Sequence, residues 1–271
     1  TDPKTIERLM NTGIKHCLDW FDAYTRDYVD RASKDILLTV QSKISHTMRV
    51  LAHVRGILRE TPVRDDLAPV AEVAAILHDV GRFPQLVKSA SFDDRTGYNH
   101  AEEGERTLRR AEVLEPFDET FRKLVLTAVR FHNLGELPED LTDDERLVLE
   151  ILRDADKLDA LRNTVKYMSP DTPYGKALKS GMIWHDTNVS DEVVELTLQR
   201  KLIPFTAIKW SNDFVLFLTC WIHDLHFPYA YRHLHDSGTF EALLDTLPEE
   251  TPYDRIKKQL RSDLQQFLDQ S

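Results

Sequence analysis

Cysteine and glycine are both scarce in this chain. The two cysteines, Cys17 and Cys220, are far apart and form no CxxC pattern, so a disulfide framework is excluded and a reducing, cytoplasmic location is expected. The nine glycines form neither GxGxxG nor GxxxxGK(S/T). Dinucleotide-binding and P-loop folds are therefore unsupported, because both need such loops to approach phosphates closely.

Long apolar runs are also missing. The longest, FVLFLTCWI at 214–222, is far shorter than the ~20 residues that cross a bilayer, so we expect no membrane partner. The start, TDPKTIERLM, shows no basic region followed by an apolar one, and we expect no signal peptide.

Positive charge is in deficit. Lys and Arg number 35 against 46 Asp and Glu, a formal net charge of −11. Contact with a nucleic-acid backbone depends mainly on Lys and Arg, so a nucleic-acid polymer is not an expected partner. A small phosphorylated substrate stays compatible with this balance, because a few local side chains decide its binding.

Helical periodicity is what the sequence has in abundance, most clearly as one apolar stripe over about 34–60. The same spacing predicts helices at about 4–27, 67–80, 100–114, 118–133, 142–167, 190–202, 211–235 and 252–269. Loops are predicted at about 61–66, 81–99, 134–141, 168–189 and 236–251. Period-two alternation is scarce, so we predict an all-α fold. We expect one domain over 1–271, with a motif-bearing core at about 34–167 and a helical extension at about 190–271.

Histidines and aspartates stand at the ends and on the faces of these helices. In AAILHDVGRF, an apolar helix ends in His78 and Asp79, although a buried charge is costly unless it is paired or bound to metal. The other candidates are His46 in ISHTMRV, His100 in YNHAEEG, His132 in VRFHN and Asp156 in LRDADKLDAL. Any one of them alone is typical of a structural residue. Together, four imidazoles and two carboxylates are a donor set for two adjacent metal ions, with one carboxylate bridging them.

The order of these motifs, a His, then His-Asp, then a distant Asp, resembles the HD superfamily of metal-dependent phosphohydrolases. The segments SHTMRVLAHV, AAILHDVGRF and RDADKLDAL resemble its helix motifs, and the resemblance covers about 40–165. His100 and His132 lie between the His-Asp pair and the last Asp, which is similar to the binuclear branch of HD-GYP phosphodiesterases and HD-type diiron oxygenases. The GYP signature is absent, so activity on cyclic-di-GMP is not implied.

The resemblance implies an HD-type helical bundle that holds two metal ions. The implied ligands are His46, His78, Asp79, His100, His132 and Asp156. Asp79 would bridge the ions, and His100 and His132 would complete the second site. Imidazole-rich ligation favours two divalent transition-metal ions over Mg, with Fe or Mn first and Zn, Co or Ni as alternatives.

Three cationic side chains are candidates for binding the substrate phosphate. Arg82 lies three residues after Asp79, where HD-GYP proteins carry a lysine. Arg49 lies three residues after the first histidine, on the same helix face, and Lys157 follows the last aspartate. We therefore predict Asp79, Arg82 and Lys157 as catalytic residues, and Arg49, Arg82 and Lys157 as substrate-binding residues. Ordinary ion pairs are the alternative roles for Arg49 and Arg82.

The sequence leads to one preferred function and two alternatives. The preferred one is a cytoplasmic phosphohydrolase that cleaves a small phosphate ester, for example a nucleotide, with a metal-activated water. The first alternative is an HD-type diiron oxygenase with the same ligands, and the second is a non-catalytic, metal-containing nucleotide sensor. A homodimer is the base-rate expectation for the oligomeric state.

Overall fold

The computed structural model of the chain describes residues 3–94, 97–168, 171–172, 175–176 and 182–270, with side chains from residue 12 onward. Helices dominate these residues, and their only β-pairing is an isolated bridge between Ile183 and Trp210. The predicted all-α fold is confirmed. No helix in the described ranges combines the length and the apolar character needed to cross a bilayer.

The chain divides into two compact units, Thr1–Asp156 and Lys157–Ser271. The helices that begin in the first unit are α1 Pro3–Arg31, α2 Lys34–Glu60, α3 Ala68–Leu77, α4 Arg82–Ser89, α5 His100–Ala111, α6 Glu119–Phe131 and α7 Asp143–Tyr167. Helix α3 is the centre of this unit and packs against α1, α2 and α6. Every residue from Val73 to Val80 is buried, which explains why this stretch is almost wholly apolar up to the His-Asp pair.

Side-chain caps set where two of these helices begin. The Asn99 side chain accepts hydrogen bonds from the backbone of Ala101 and Glu102 at the start of α5. Asp118 does the same for Phe121 at the start of α6. These oxygens satisfy N–H groups that have no partner within the helix, so the sequence determines where each helix starts.

Three of the predicted elements are wrong. The segment 81–99 is not one loop, because α4 occupies Arg82–Ser89. The predicted helix 211–235 is interrupted: an α-helix ends at Thr219, a 3₁₀ turn covers Cys220–Asp224, and a new helix begins at Pro228 after three residues that belong to no helix. Proline has no N–H to continue a helix but suits its first turn. The predicted loop 236–251 is also wrong, because a short helix covers Thr239–Asp245.

The second unit is built from helices α8 Asp191–Leu198, α9 Ser211–Thr219, α10 Pro228–Asp236, α11 Thr239–Asp245 and α12 Tyr253–Asp269. They surround an apolar core that includes Leu216, Leu243 and Tyr253. Buried Asp213 accepts hydrogen bonds from the backbone N–H groups of Ser190 and Trp210. The described part of the predicted loop 168–189 forms the Ile183 bridge, and the remainder lies outside the described residues.

Candidate metal centre

The six predicted ligands come together inside the first unit. His46 lies in α2, His100 opens α5, and Asp156 lies in α7. His78 and His132 each follow directly on the end of a helix, α3 and α6 respectively, and cap it. The donor atoms form two adjacent groups, and within each group they lie no more than 4.8 Å apart. The groups are His46, His78 and Asp156, and Asp79, His100 and His132.

The carboxylate of Asp79 lies between the four imidazoles. Its Oδ2 is 3.4 Å from His46 Nε2 and 3.3 Å from His78 Nε2. Its Oδ1 is 3.5 Å from His100 Nε2 and 3.8 Å from His132 Nε2. Each oxygen therefore faces one pair of histidines, which is the placement that a carboxylate shared between two cations requires.

In three of the histidines, the Nδ1 atom is hydrogen-bonded to a group outside the centre. Nδ1 of His78 lies 2.8 Å from the carbonyl oxygen of Ala75, and Nδ1 of His132 lies 2.7 Å from that of Val129. A carbonyl oxygen only accepts hydrogen bonds, so both Nδ1 atoms carry the proton and both Nε2 atoms carry a lone pair in the neutral ring. His78 Nε2 is buried and makes no hydrogen bond with the described part of the chain.

The pair His100 and His132 gives the clearest sign of a cation site. Their Nε2 atoms are 3.0 Å apart, and Nδ1 of His100 is already bonded to Asp94. Burial first, and then the charge of Arg82, lower the pKa of His100 to about 3. When both rings are neutral and carry their proton on Nδ1, the two Nε2 lone pairs face each other, an arrangement that a shared metal ion stabilises. Imidazoles held through Nδ1–H in this way are typical metal ligands.

Both carboxylates of the centre are ionised. Burial opposes the charge of Asp79, but the Lys43 ammonium and then His78 hold its pKa well below the usual range. Burial also opposes the charge of Asp156, whose pKa is nonetheless lowered, chiefly by its hydrogen bond with His46. Two negative charges beside four imidazoles in a buried site form a suitable environment for cations.

A close backbone approach positions the His-Asp pair against α5. A Cβ atom on Gly81 would lie 2.0 Å from the carbonyl oxygen of His100 and 2.7 Å from the nitrogen of Gly104. Tyr98 donates to the Gly81 carbonyl, and Tyr24 donates to that of Val80. The glycine is thus required because the turn after Asp79 leaves no room for a side chain.

Arg82 lies at the edge of the centre. Its Nε is 3.6 Å from Asp79 Oδ1, and its side chain is 16% exposed. Its Nη1 donates to Asp94, to Gln85 and to the carbonyl oxygen of Phe92. The structure thus places this predicted phosphate ligand within reach of the centre and holds it in a fixed orientation.

The other two predicted substrate-binding residues have different surroundings. Arg49 is half-buried on α2, three residues after His46. Lys157 donates from its ammonium to the carbonyl oxygen and the carboxylate of Asp224, which like it belongs to the second unit. The substrate-binding roles of Arg49 and Lys157 stay predictions.

Sequence reasoning missed two residues at the centre. Lys43, one turn before His46 on α2, pairs with Asp79 Oδ2. Its spacing of three residues from a predicted ligand was the signal that could have identified it. Asp94, which bonds His100, lies in an irregular segment beyond α4, where periodicity carries no information about contacts.

Comparison with known families agrees with this geometry. Residues 44–161 match the family model of the HD domain, and this match is consistent with the HD superfamily. HD domains bind divalent metal ions and are largely metal-dependent hydrolases. All six residues of the centre lie within the matched range. Neither the curated proteins nor the solved structures contain a match to the chain.

Proposed function

We propose that this protein is a metal-dependent phosphohydrolase that cleaves a small phosphate ester, for example a nucleotide. The observation that carries the proposal is the convergence of imidazole Nε2 atoms on the two oxygens of Asp79 within an HD domain. The cationic side chains of Arg82 and Lys43 at the same carboxylate favour an anionic substrate.

We assign one cation to His46, His78, Asp79 and Asp156, and a second to His100 and His132 with Asp79 shared. Four imidazoles against two carboxylates favour Fe or Mn, with Zn, Co or Ni as alternatives, over Mg, which prefers oxygen ligands. Two such cations would supply an activated water at neutral pH and stabilise the attacking and leaving oxygens of the phosphate.

The chain's own residues have complementary tasks in this proposal. Asp79 holds the two halves of the centre together with one carboxylate. Arg82, oriented by Asp94, binds a non-reacting phosphate oxygen and stabilises the charge that develops there. Arg49 and Lys157 are proposed as further phosphate contacts. We also propose that the second unit serves as a C-terminal helical extension of one HD-type domain, in a cytoplasmic homodimer.

The test combines metal analysis with a substrate panel. The full chain is purified without oxygen, its metal content is measured, and phosphate release is followed for mononucleotides, cyclic nucleotides and dinucleotides. We expect about two ions per chain and release from at least one ester. Asp79→Asn should abolish both the second ion and the release. His235→Ala, which removes an exposed imidazole on α10, is the matched control and should change neither.

The same panel separates the proposal from its two alternatives. Substrate turnover that requires O2 and releases no phosphate from any ester would identify an oxygenase instead. No turnover at all, together with a nucleotide-dependent rise in melting temperature, would identify a sensor, since a ligand that binds only the folded state stabilises it. Either outcome would overturn the phosphohydrolase proposal.

A further inference from the structure

Lys43 approaches the metal centre from α2, three residues before His46. Its ammonium contacts Oδ2 of Asp79, the oxygen that also faces His46 and His78. The Lys43 side chain is only 13% exposed. A lysine this far from water needs an anionic partner, and at this site the partner is the carboxylate proposed to bind both cations.

Lys43 and Arg82 lie on opposite oxygens of that carboxylate. Lys43 is at Oδ2, and Arg82 Nε is 3.6 Å from Oδ1. The Lys43 ammonium and the Arg82 guanidinium also lie beside the ring of Phe92, at 5.9 Å and 5.7 Å from its centroid. The two positive groups therefore share one aromatic neighbour while each lies at its own oxygen of Asp79.

From this geometry we infer that Lys43 is a substrate-binding residue, whose ammonium binds a non-reacting oxygen of the substrate phosphate opposite Arg82. The inference rests on the proposed function. A divalent cation and an ammonium that share one carboxylate repel each other, and an anion placed against both removes that repulsion. The flexible stem of lysine lets its charge follow such an anion, whereas Arg82 is held by Asp94 and Gln85.

The experiment uses the metal-loaded full chain and inorganic phosphate as the probe. Phosphate affinity is measured by calorimetry, KM and kcat are measured with p-nitrophenyl phosphate, and metal content is determined for every sample. The variants are Lys43→Gln and Lys43→Arg. Lys34→Gln removes an equal charge from the exposed start of the same helix and is the matched control.

We expect Lys43→Gln to weaken phosphate binding about tenfold or more and to raise KM more than it lowers kcat, with metal content unchanged. Lys43→Arg should restore most of the binding, and Lys34→Gln should behave as the wild type. Wild-type phosphate affinity in Lys43→Gln would overturn the inference, and so would loss of metal from that variant, because Lys43 would then support the centre rather than the substrate. If the metal-loaded wild type binds no phosphate and cleaves no ester, the proposed function itself fails.

Discussion

Asp94 Oδ2 lies 2.6 Å from Nδ1 of His100, on the side of the imidazole ring that faces away from Asp79. The other oxygen of Asp94 accepts hydrogen bonds from Arg82 and Gln85. One carboxylate thus orients both a proposed metal ligand and a proposed phosphate ligand. Its hydrogen bond with His100 helps to keep the pKa of Asp94 at about 2 although burial opposes its charge.

The first prediction concerns this carboxylate. Asp94→Ala should weaken metal binding at the His100 position by roughly 10- to 100-fold, because the ring loses the acceptor that fixes its tautomer and orientation. The affinity is measured by competition with a chromogenic chelator. Asp30→Ala on α1 removes an exposed carboxylate and should leave the affinity unchanged. Equal affinities in the two variants would show that Asp94 does not position His100.

The second prediction tests how the two groups of ligands divide the ions. His100→Ala removes one of the three donors of the second group, while His46, His78 and Asp156 stay intact. We expect roughly one ion per chain instead of two, measured by elemental analysis of protein purified without oxygen. Two full equivalents in this variant would mean that the assignment of the second ion is wrong.

The third prediction concerns Arg82. Arg82→Gln should lower kcat/KM for a phosphate ester about 100-fold, because a preorganised donor to the reacting phosphate is lost. Arg59→Gln at the exposed end of α2 is the control, and it should leave kcat/KM unchanged. If Arg82→Gln retains wild-type kcat/KM, its guanidinium serves only the ion pair with Asp94.

The fourth prediction is a loss of stability in acid. The pKa of His100 falls from 6.5 to about 3 on folding, so between these values the unfolded chain binds more protons than the folded one. Asp94, lowered from 3.8 to about 2, acts in the same direction at lower pH. The free energy of unfolding of the metal-free protein should therefore fall by a few kcal/mol as the pH drops from about 6.5 to 3.

Urea unfolding at a series of pH values measures this dependence. In His100→Gln the part of the slope between pH 6.5 and about 4 should shrink, because the titrating imidazole is gone. A flat stability profile of the wild type over this interval would contradict the burial of a neutral His100.

The fifth prediction concerns the turn after the His-Asp pair. Gly81→Ala should destabilise the protein by about 1–3 kcal/mol or more, since the added Cβ would meet the His100 carbonyl at 2.0 Å. Gly135→Ala is the control, because nothing lies within 4 Å of a Cβ there, and its effect should stay within about 0.5 kcal/mol. Urea unfolding measures both. Equal stabilities would mean that the turn adjusts without cost.

Much of the fold could be predicted because helical periodicity is a local signal. The helix α2 has the same bounds in the structure as in the prediction, and α7 differs by one residue at its start. The errors lie where tertiary contacts act against a local pattern. The pattern predicts a loop where α4 lies, because its eight residues follow a glycine and include Pro84. The interruption at Leu225–Phe227 follows an apolar run that resembles a continuous buried helix.

The sequence by itself determined the helical class, and it also identified the six His and Asp residues that the structure brings together, because residue type and spacing along the chain carry both. Only the tertiary structure decided which oxygen of Asp79 faces which histidines, and that Lys43 and Asp94 belong to the centre. Those relationships depend on how helices far apart in the chain pack and rotate against one another. A one-dimensional pattern does not specify the direction in which each side chain points.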